Sequence, residues 1–308
     1  MVLPRSPKMA GYLREPSFGY FLTPSSLDVG QTIELARLAE DLAFDLIGIQ
    51  DHPYQSKFLD TWTLISFIVA KTERVTVFPD VANLPLRPPA VLAKSVASLD
   101  LLSGGRVELG LGTGAFPRGS SAMGAPSPTG REAVDALEEA IQVIRSMWRA
   151  GTVARFRGRH YSLTGAHAGP APAHNAGIWI GTSARARRLL DVVGRRGDGW
   201  IPSATYVPPD KLPVLNARID DAAAAAGRDP SSIRRLYNVF GQIAEGPVQG
   251  FLRGPVQLWV NTLTELCIDY GMDSFIFGTD AEPRSQMRLF AEEVVPQVRK
   301  NVARHRAL

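Results

Sequence analysis

Apolar and polar positions along this chain switch repeatedly between two periods. Phe18-Gly19-Tyr20-Phe21-Leu22 is a short apolar run with the length of a buried strand. Just after it, Leu35, Leu38, Ala39 and Leu42 recur at i, i+3, i+4 and i+7, with Glu34, Arg37 and Asp41 on the other side. That is one apolar face of a helix over 29–44. The same alternation continues with a strand over 45–50, a helix over 61–72 and a strand over 75–81. A helix then opens on Pro88-Pro89 and runs to Leu102, and a strand follows over 106–111. Proline suits a helix start because its missing N–H has no intrahelical partner there. In the second half, strands are predicted over 178–181, 199–202, 233–240 and 274–277, and helices over 133–148, 184–193, 209–226, 255–270 and 282–302. A hairpin over 155–163 and a Pro/Ala/Gly loop over 164–177 interrupt the rhythm.

Eight strands, each followed by a helix, predict a parallel sheet that closes into a TIM (β/α)8 barrel with loop insertions. An open doubly wound sheet is the alternative. No linker or internal repeat marks a second unit, so residues 1–308 read as one barrel domain with a flexible lead-in over 1–17.

The stretch from Leu99 to Gly114 organises the first half. Ser103-Gly104-Gly105 is a helix stop, since glycine tolerates the left-handed backbone that ends a helix. Gly110, Gly112 and Gly114 then remove side chains from the end of a strand. Two readings stay open: a surface that a flat or phosphorylated ligand can approach, or close packing of a strand. A dinucleotide-binding turn fits poorly, because the spacing is G-x-G-x-G and Pro117 and Pro126 interrupt the helix that should follow.

Composition narrows the partners. Of 308 residues, 45% are hydrophobic and 21% charged, as in a large globular domain. The net charge of +4 is spread out except at Arg185–Arg188, Arg195-Arg196 and the C-terminal tail, so no nucleic-acid partner is expected. The single cysteine, Cys267, rules out an intramolecular disulfide and lies among Leu263, Leu266 and Tyr270 as a core thiol. No signal-peptide pattern opens the chain, and no run approaches the roughly 20 apolar residues of a membrane span. A cytoplasmic protein without membrane contact is expected.

In a barrel, chemistry sits at the C-terminal strand ends. Strand two ends in Asp51-His52, where an imidazole can exchange or share a proton near neutral pH. Strand three ends in Asp80-Val81-Ala82-Asn83, strand four in Gly112-Thr113-Gly114, and strand five in Gly181-Thr182-Ser183. The last reads either as an anion site at a helix N-terminus, helped by Arg185, Arg187 and Arg188, or as a plain cap. Trp200 either walls a pocket or fills core. His160, His167 and His174 lack metal-ligand spacing, so no metal is expected.

The segments LAEDLAFDLIGIQDH, LPLRPPAVLAKSVASLDLLSGGRVELGLGTG, IWIGTSARARRLLDVVGRRGDGWI and PVQLWVNTLTEL, in that order, resemble the bacterial luciferase-like family of flavin- and deazaflavin-dependent oxidoreductases. The likeness runs from about Phe18 to Val298. It implies a TIM barrel that binds coenzyme F420 or FMN at its C-terminal mouth. Position by position, it implies that Asp51 and His52 contact the cofactor, that His52 takes part in catalysis, and that a non-prolyl cis peptide at Asp80-Val81 backs the ring. It further places Asn83 and Gly112-Thr113-Gly114 beside the cofactor, with Gly181-Thr182-Ser183 on its phosphate. Deazaflavin sugar-phosphate dehydrogenases carry a glutamate directly after the strand-four T-G; this chain has Ala115, which argues against that activity.

The resemblance favours hydride transfer between F420 and a small organic substrate. The alternatives are an FMN-dependent monooxygenase supplied by a separate flavin reductase, and a non-catalytic flavin-binding barrel. Residues 115–129 and the hairpin after Trp148 are the expected substrate walls, and a homodimer is implied.

Overall fold

A computed structural model describes residues 14–307. The expected lead-in lies outside the described residues as far as position 13, and Ser17 already belongs to the first strand. The barrel strands are β1 (Ser17–Leu22), β2 (Leu46–Ile49), β3 (Thr76–Pro79), β4 (Ala82–Asn83) and β5 (Leu109–Gly112). A hairpin of β6 (Val153–Arg157) and β7 (Ser162–His167) stands apart from them. The barrel resumes with β8 (Ile178–Thr182), β9 (Gly199–Pro202) and β10 (Arg234–Phe240). A small pair, β11 (Gln242–Ile243) and β12 (Arg253–Gly254), precedes the last barrel strand, β13 (Ser274–Gly278).

The hydrogen-bonded order is β3-β2-β1-β13-β10-β9-β8-β5-β4, parallel throughout. The sheet contains nine strands where eight were expected, because the third stave is interrupted at a cis Asp80-Val81 peptide. Below the break β3 pairs with β2, with Ile49 opposite Pro79; above it β4 pairs with β5, with Ala82 opposite Leu111. The ring closes where the Val77 N–H donates to the Arg106 carbonyl at 2.9 Å and the Glu108 N–H donates to the Val77 carbonyl at 3.2 Å. The TIM-barrel expectation therefore holds, and the doubly wound alternative does not.

Local chemistry sets the helix boundaries. α1 (Val29–Asp41) starts where the Asp28 carboxylate accepts from the Gln31 N–H, and α2 (Thr61–Val69) where Asp60 accepts from the Thr63 N–H. α1 stops short of the predicted Phe44 because Ala43 turns the chain at φ 56°. α3 (Pro89–Ser103) ends at Gly104, φ 70°, as its sequence predicts. α4 (Pro117–Ala122) is a short helix inside the stretch expected to wall the substrate, and α5 (Gly130–Met147) begins three residues before its predicted start. α6 (Arg187–Arg196) begins later than predicted, leaving 183–186 outside any helix. α7 (Leu212–Ala225) and α8 (Val256–Ile268) complete the outer layer up to β13. The closing helix is interrupted: α9 (Pro283–Leu289) passes through a π-helical turn at Phe290–Val294 into α10 (Val295–Arg306). Pro296 supplies no N–H to the helical ladder there. The predicted loop over 164–177 loses its first residues to β7, whose pairing reaches His167 opposite Val153.

The barrel axis is filled by Leu46, Phe78, Trp179, Ile201, Leu236 and Ile276, with the Phe78 and Trp179 rings edge to face at 5.0 Å. A larger apolar cluster lies between the staves and the helices and includes Cys267, whose thiol is pushed up by burial. Trp200 is fully buried and belongs to this core.

Charged groups stitch the N-terminal end of the barrel. The Asp100 carboxylate has no exposed side-chain surface and accepts from the Val107 and His174 N–H groups and from His174 Nδ1 at 3.0 Å. His174 Nε2 lies 3.4 Å from Glu108, which also accepts from the Gly177 N–H. Burial alone would lower the His174 pKa, but the Asp100 hydrogen bond and the Glu108 charge raise it overall. On the outer face, Arg235 is 1% exposed and its Nη2 lies 2.6 Å from Asp220 Oδ1 on α7.

Two stability changes follow from these contacts. Asp220→Ala leaves a buried guanidinium without its carboxylate and costs about 3 kcal/mol in chemical denaturation. Because the folded His174 pKa lies above its unfolded value, its contribution is full below the ordinary imidazole range and is lost as pH rises through the folded value. Denaturation of His174→Gln across that window should lack this decline; an unchanged pH dependence would exclude His174 as its source.

Candidate active site

Asp51 anchors the C-terminal rim. Its carboxylate is completely enclosed and accepts from the Asn83 N–H at 2.9 Å, Arg87 Nε at 3.2 Å and Arg87 Nη2 at 2.9 Å. Arg87 also reaches Asp60, the cap of α2, at 2.6 Å. Burial would raise the Asp60 pKa, but the Arg87 hydrogen bond and the Thr63 N–H hold it below its ordinary value. Asp51 therefore orders the ends of β2 and β4 from beneath the rim. Asn83 is itself buried, and its Oδ1 accepts from the Ser120 hydroxyl of α4 at 3.3 Å. Arg87 is the connection that strand-end reasoning missed; its signal is a lone cation between Leu86 and Pro88.

The break at Asp80-Val81 shapes the floor of the mouth. Val81 turns its side chain towards the glycines of neighbouring staves. A methyl group at Gly112 would lie 2.6 Å from Val81 Cγ2, and one at Gly181 2.8 Å from the same atom. These glycines thus admit the Val81 side chain, as the close-packing reading of the strand-four glycines expects. Gly114, at φ 88°, is pressed against Pro85 in the same way. Val81 keeps part of its surface exposed and forms an apolar shelf in the mouth.

Asp80 points into the barrel beside Gly48 and accepts from Asn238 Nδ2 of β10 at 3.1 Å. Two buried oxygens remain unpartnered, Asp80 Oδ2 and Asn238 Oδ1. Burial pushes the Asp80 pKa up to about 7, against the lowering effect of the Asn238 hydrogen bond. Asn238 was not anticipated; its signal is a single amide inside the apolar run of β10.

His52 stands on the rim in an aromatic setting. Its Nδ1 lies 2.6 Å from the Tyr54 hydroxyl, and the Phe116 ring packs edge-on at 5.5 Å between centroids. Burial lowers the His52 pKa, with the Asp51 charge opposing, so the imidazole is neutral near pH 7. Burial likewise pushes the Tyr54 phenol up to about 12.

A cleft of about 860 Å³ opens above β5 between the first turns of α5 and α6. Thr113 and Gly114 line it together with Gly130, Arg131, Arg185 and Arg187. Neither helix has a side-chain hydrogen bond at its N-cap. Arg188 is paired with Asp135, whereas Arg185 and Arg187 have no carboxylate partner among the described residues. The helix expected directly after Gly181-Thr182-Ser183 starts later than predicted. α6 starts only at Arg187, and the Thr182 hydroxyl accepts from Trp200 Nε1 at 2.7 Å, so these three residues do not form a helix N-terminus. A cationic opening lies at 185–187 and the start of α5. Among the described residues, no group of three or more His, Cys, Asp or Glu side chains gathers as in a metal site. No described helix is long and apolar enough to cross a membrane.

The rim therefore combines a neutral imidazole, an apolar shelf, a buried carboxyl-amide pair and a cationic cleft. Comparisons with known proteins match this architecture. Residues 15–249 match the family model described as luciferase-like monooxygenase. An uncharacterised protein of Mycobacterium tuberculosis is 27% identical over 86% of this chain and 95% of its own length. An F420-dependent glucose-6-phosphate dehydrogenase of Microbacterium testaceum is 24% identical over 93% of this chain and 98% of its own. Among solved structures, an F420-dependent secondary alcohol dehydrogenase in complex with an F420-acetone adduct superposes with a TM-score of 0.82 at 18% identity. It covers 92% of this chain and 99% of that one. With well over half of its residues matched by the family model, the chain belongs to the luciferase-like monooxygenase family and is an oxidoreductase.

Proposed function

We propose that this protein is a single-barrel oxidoreductase that uses coenzyme F420 to exchange a hydride with a small organic substrate at the barrel mouth. The observation that carries the reading is the Val81 shelf, wedged between Gly112 and Gly181 and open above. The residues present fit a deazaflavin. The shelf offers one apolar face to a planar ring, and Arg185 and Arg187 suit an anionic tail. When bound, the deazaflavin supplies the hydride chemistry.

The chain's own groups do the rest. Val81 restricts access to one face of the ring. Asp51 and Arg87 fix the two loops that hold His52 and Asn83. His52, neutral and on the rim, polarises a substrate oxygen, while Tyr54 and Phe116 limit water beside it. The relatives named for F420 dependence support this cofactor, as does the LPLRPPAVLAK segment that contains Arg87. The family's description as monooxygenase favours a second reading, an FMN enzyme that receives reduced flavin and reacts with oxygen.

Fluorescence titration of the purified apoprotein separates the two. F420 is expected to bind at micromolar or lower concentration and FMN far more weakly; selective FMN binding would replace the proposal with the monooxygenase reading. Replacing both Arg185 and Arg187 by alanine should weaken F420 binding by about a hundredfold, taking about 1.4 kcal/mol for each charge-assisted contact. The difference should shrink as salt is added.

A further inference from the structure

His52 is the one imidazole on the catalytic rim, and its partner is unexpected. A phenol, rather than a carboxylate, contacts its Nδ1, at 2.6 Å. That separation is short for an N–H donor to oxygen and sits well within the range of an O–H donor. A phenol is also much the stronger acid of the two neutral groups, so the Tyr54 hydroxyl donates and Nδ1 accepts. Tyr54 has no other hydrogen-bond partner among the described residues. His52 Nε2 has no protein partner either, and it is not sealed from solvent.

The phenol is held in place from two sides. The Phe116 ring lies 6.0 Å from it at 61°, and a methyl group at Gly119 of α4 would come within 2.6 Å of the Tyr54 ring. Phe116 also packs on His52 itself, so both rings are fixed by the segment that follows β5. The only charge identified as acting on His52 is that of Asp51, and that carboxylate is already bound to Arg87 and the Asn83 N–H.

We propose that Tyr54 is a positioning residue that locks His52 in the tautomer with its proton on Nε2, so that the imidazole presents a hydrogen-bond donor to the cleft. A nitrogen that already carries a proton cannot accept one from an alcohol. The site is thereby arranged for a substrate that brings an acceptor oxygen, as a carbonyl compound does. His52 donates to that oxygen as a neutral electrophile rather than acting as a base. As the hydride of the proposed cofactor would reach the carbonyl carbon, the oxygen would take the Nε2 proton while Nδ1 takes the Tyr54 proton, which solvent would restore. The tautomer stands independently of the cofactor; only its role towards substrate rests on the oxidoreductase reading.

The test uses 15N NMR of the histidine-labelled full chain without added cofactor, at a pH above the ordinary imidazole range. The His52 signals are assigned by their loss in His52→Gln. In the wild type, Nε2 should carry the proton and Nδ1 should show the shift of a hydrogen-bonded acceptor. In Tyr54→Phe the two nitrogens should move towards averaged values, because nothing then selects a tautomer. A wild-type spectrum with the proton on Nδ1 overturns the proposal, even if the variant fails to fold. A folded Tyr54→Phe with an unchanged tautomer overturns it as well. In turnover with a carbonyl substrate, Tyr54→Phe should lower kcat about tenfold or more while the F420 Kd stays unchanged. Absence of F420 turnover in the wild type, with the expected tautomer present, counts against the cofactor reading and leaves the Tyr54 assignment standing.

Discussion

The side chain of Val81 fills the space that Gly112 and Gly181 leave open, and the geometry of the mouth depends on that packing. A barrel stave normally alternates inward and outward side chains without interruption. Here the third stave breaks between Pro79 and Ala82, so its lower part pairs with β2 and its upper part with β5. The interruption directs Asp80 into the axis and Val81 across the floor. Any Cβ on the facing staves at Gly112 or Gly181 would collide with Val81, so residues far apart in sequence are constrained together. The sequence leaves these glycines open to either a ligand or close packing, and their first contact is another part of the same chain.

Around this floor, charge is distributed by burial. Asp51 keeps its carboxylate enclosed because Arg87 and a backbone N–H satisfy it. The Asp80 carboxyl has one hydrogen bond among the described residues, from an amide, and burial pushes its pKa up to about 7. Two aspartates at successive strand ends thus differ in kind: one is a fixed anchor, the other a group able to change its protonation near neutral pH. Further out, the arginines at 185 and 187 stay free of carboxylates while Arg188 is neutralised by Asp135. The rim runs from enclosed and apolar at the shelf to open and cationic at the cleft.

The region after β5 has a consequence for the histidine. The residue after the strand-four turn is Ala115, and the next, Phe116, packs onto His52 and Tyr54. An acid beside an imidazole favours its charged form, whereas aromatic burial favours the neutral one. This chain supplies the second environment at His52. It does so with residues that lie in one short helix and the turn before it, the same stretch expected to wall the substrate.

By itself the sequence determined the alternation of strands and helices, because each stave is a short apolar run and each helix carries a periodic face or a local cap such as Asp28, Asp60 or Gly104. It also marked Asp51-His52 and Asp80-Val81, which stand next to strand ends that the pattern locates to within a residue or two. Only the tertiary structure decided what those residues meet. Asn238 reaches Asp80 across the axis, Arg87 reaches Asp51 from the next loop, and Tyr54 reaches back to His52 under a roof supplied by Phe116. It also showed a cationic cleft at the start of α5, lined by Arg185 ahead of α6 and by Arg187 at its first position. The physical reason is range: propensity and periodicity act over a few neighbouring residues, whereas a barrel mouth is assembled from eight separate strand ends whose side chains meet only when the ring closes.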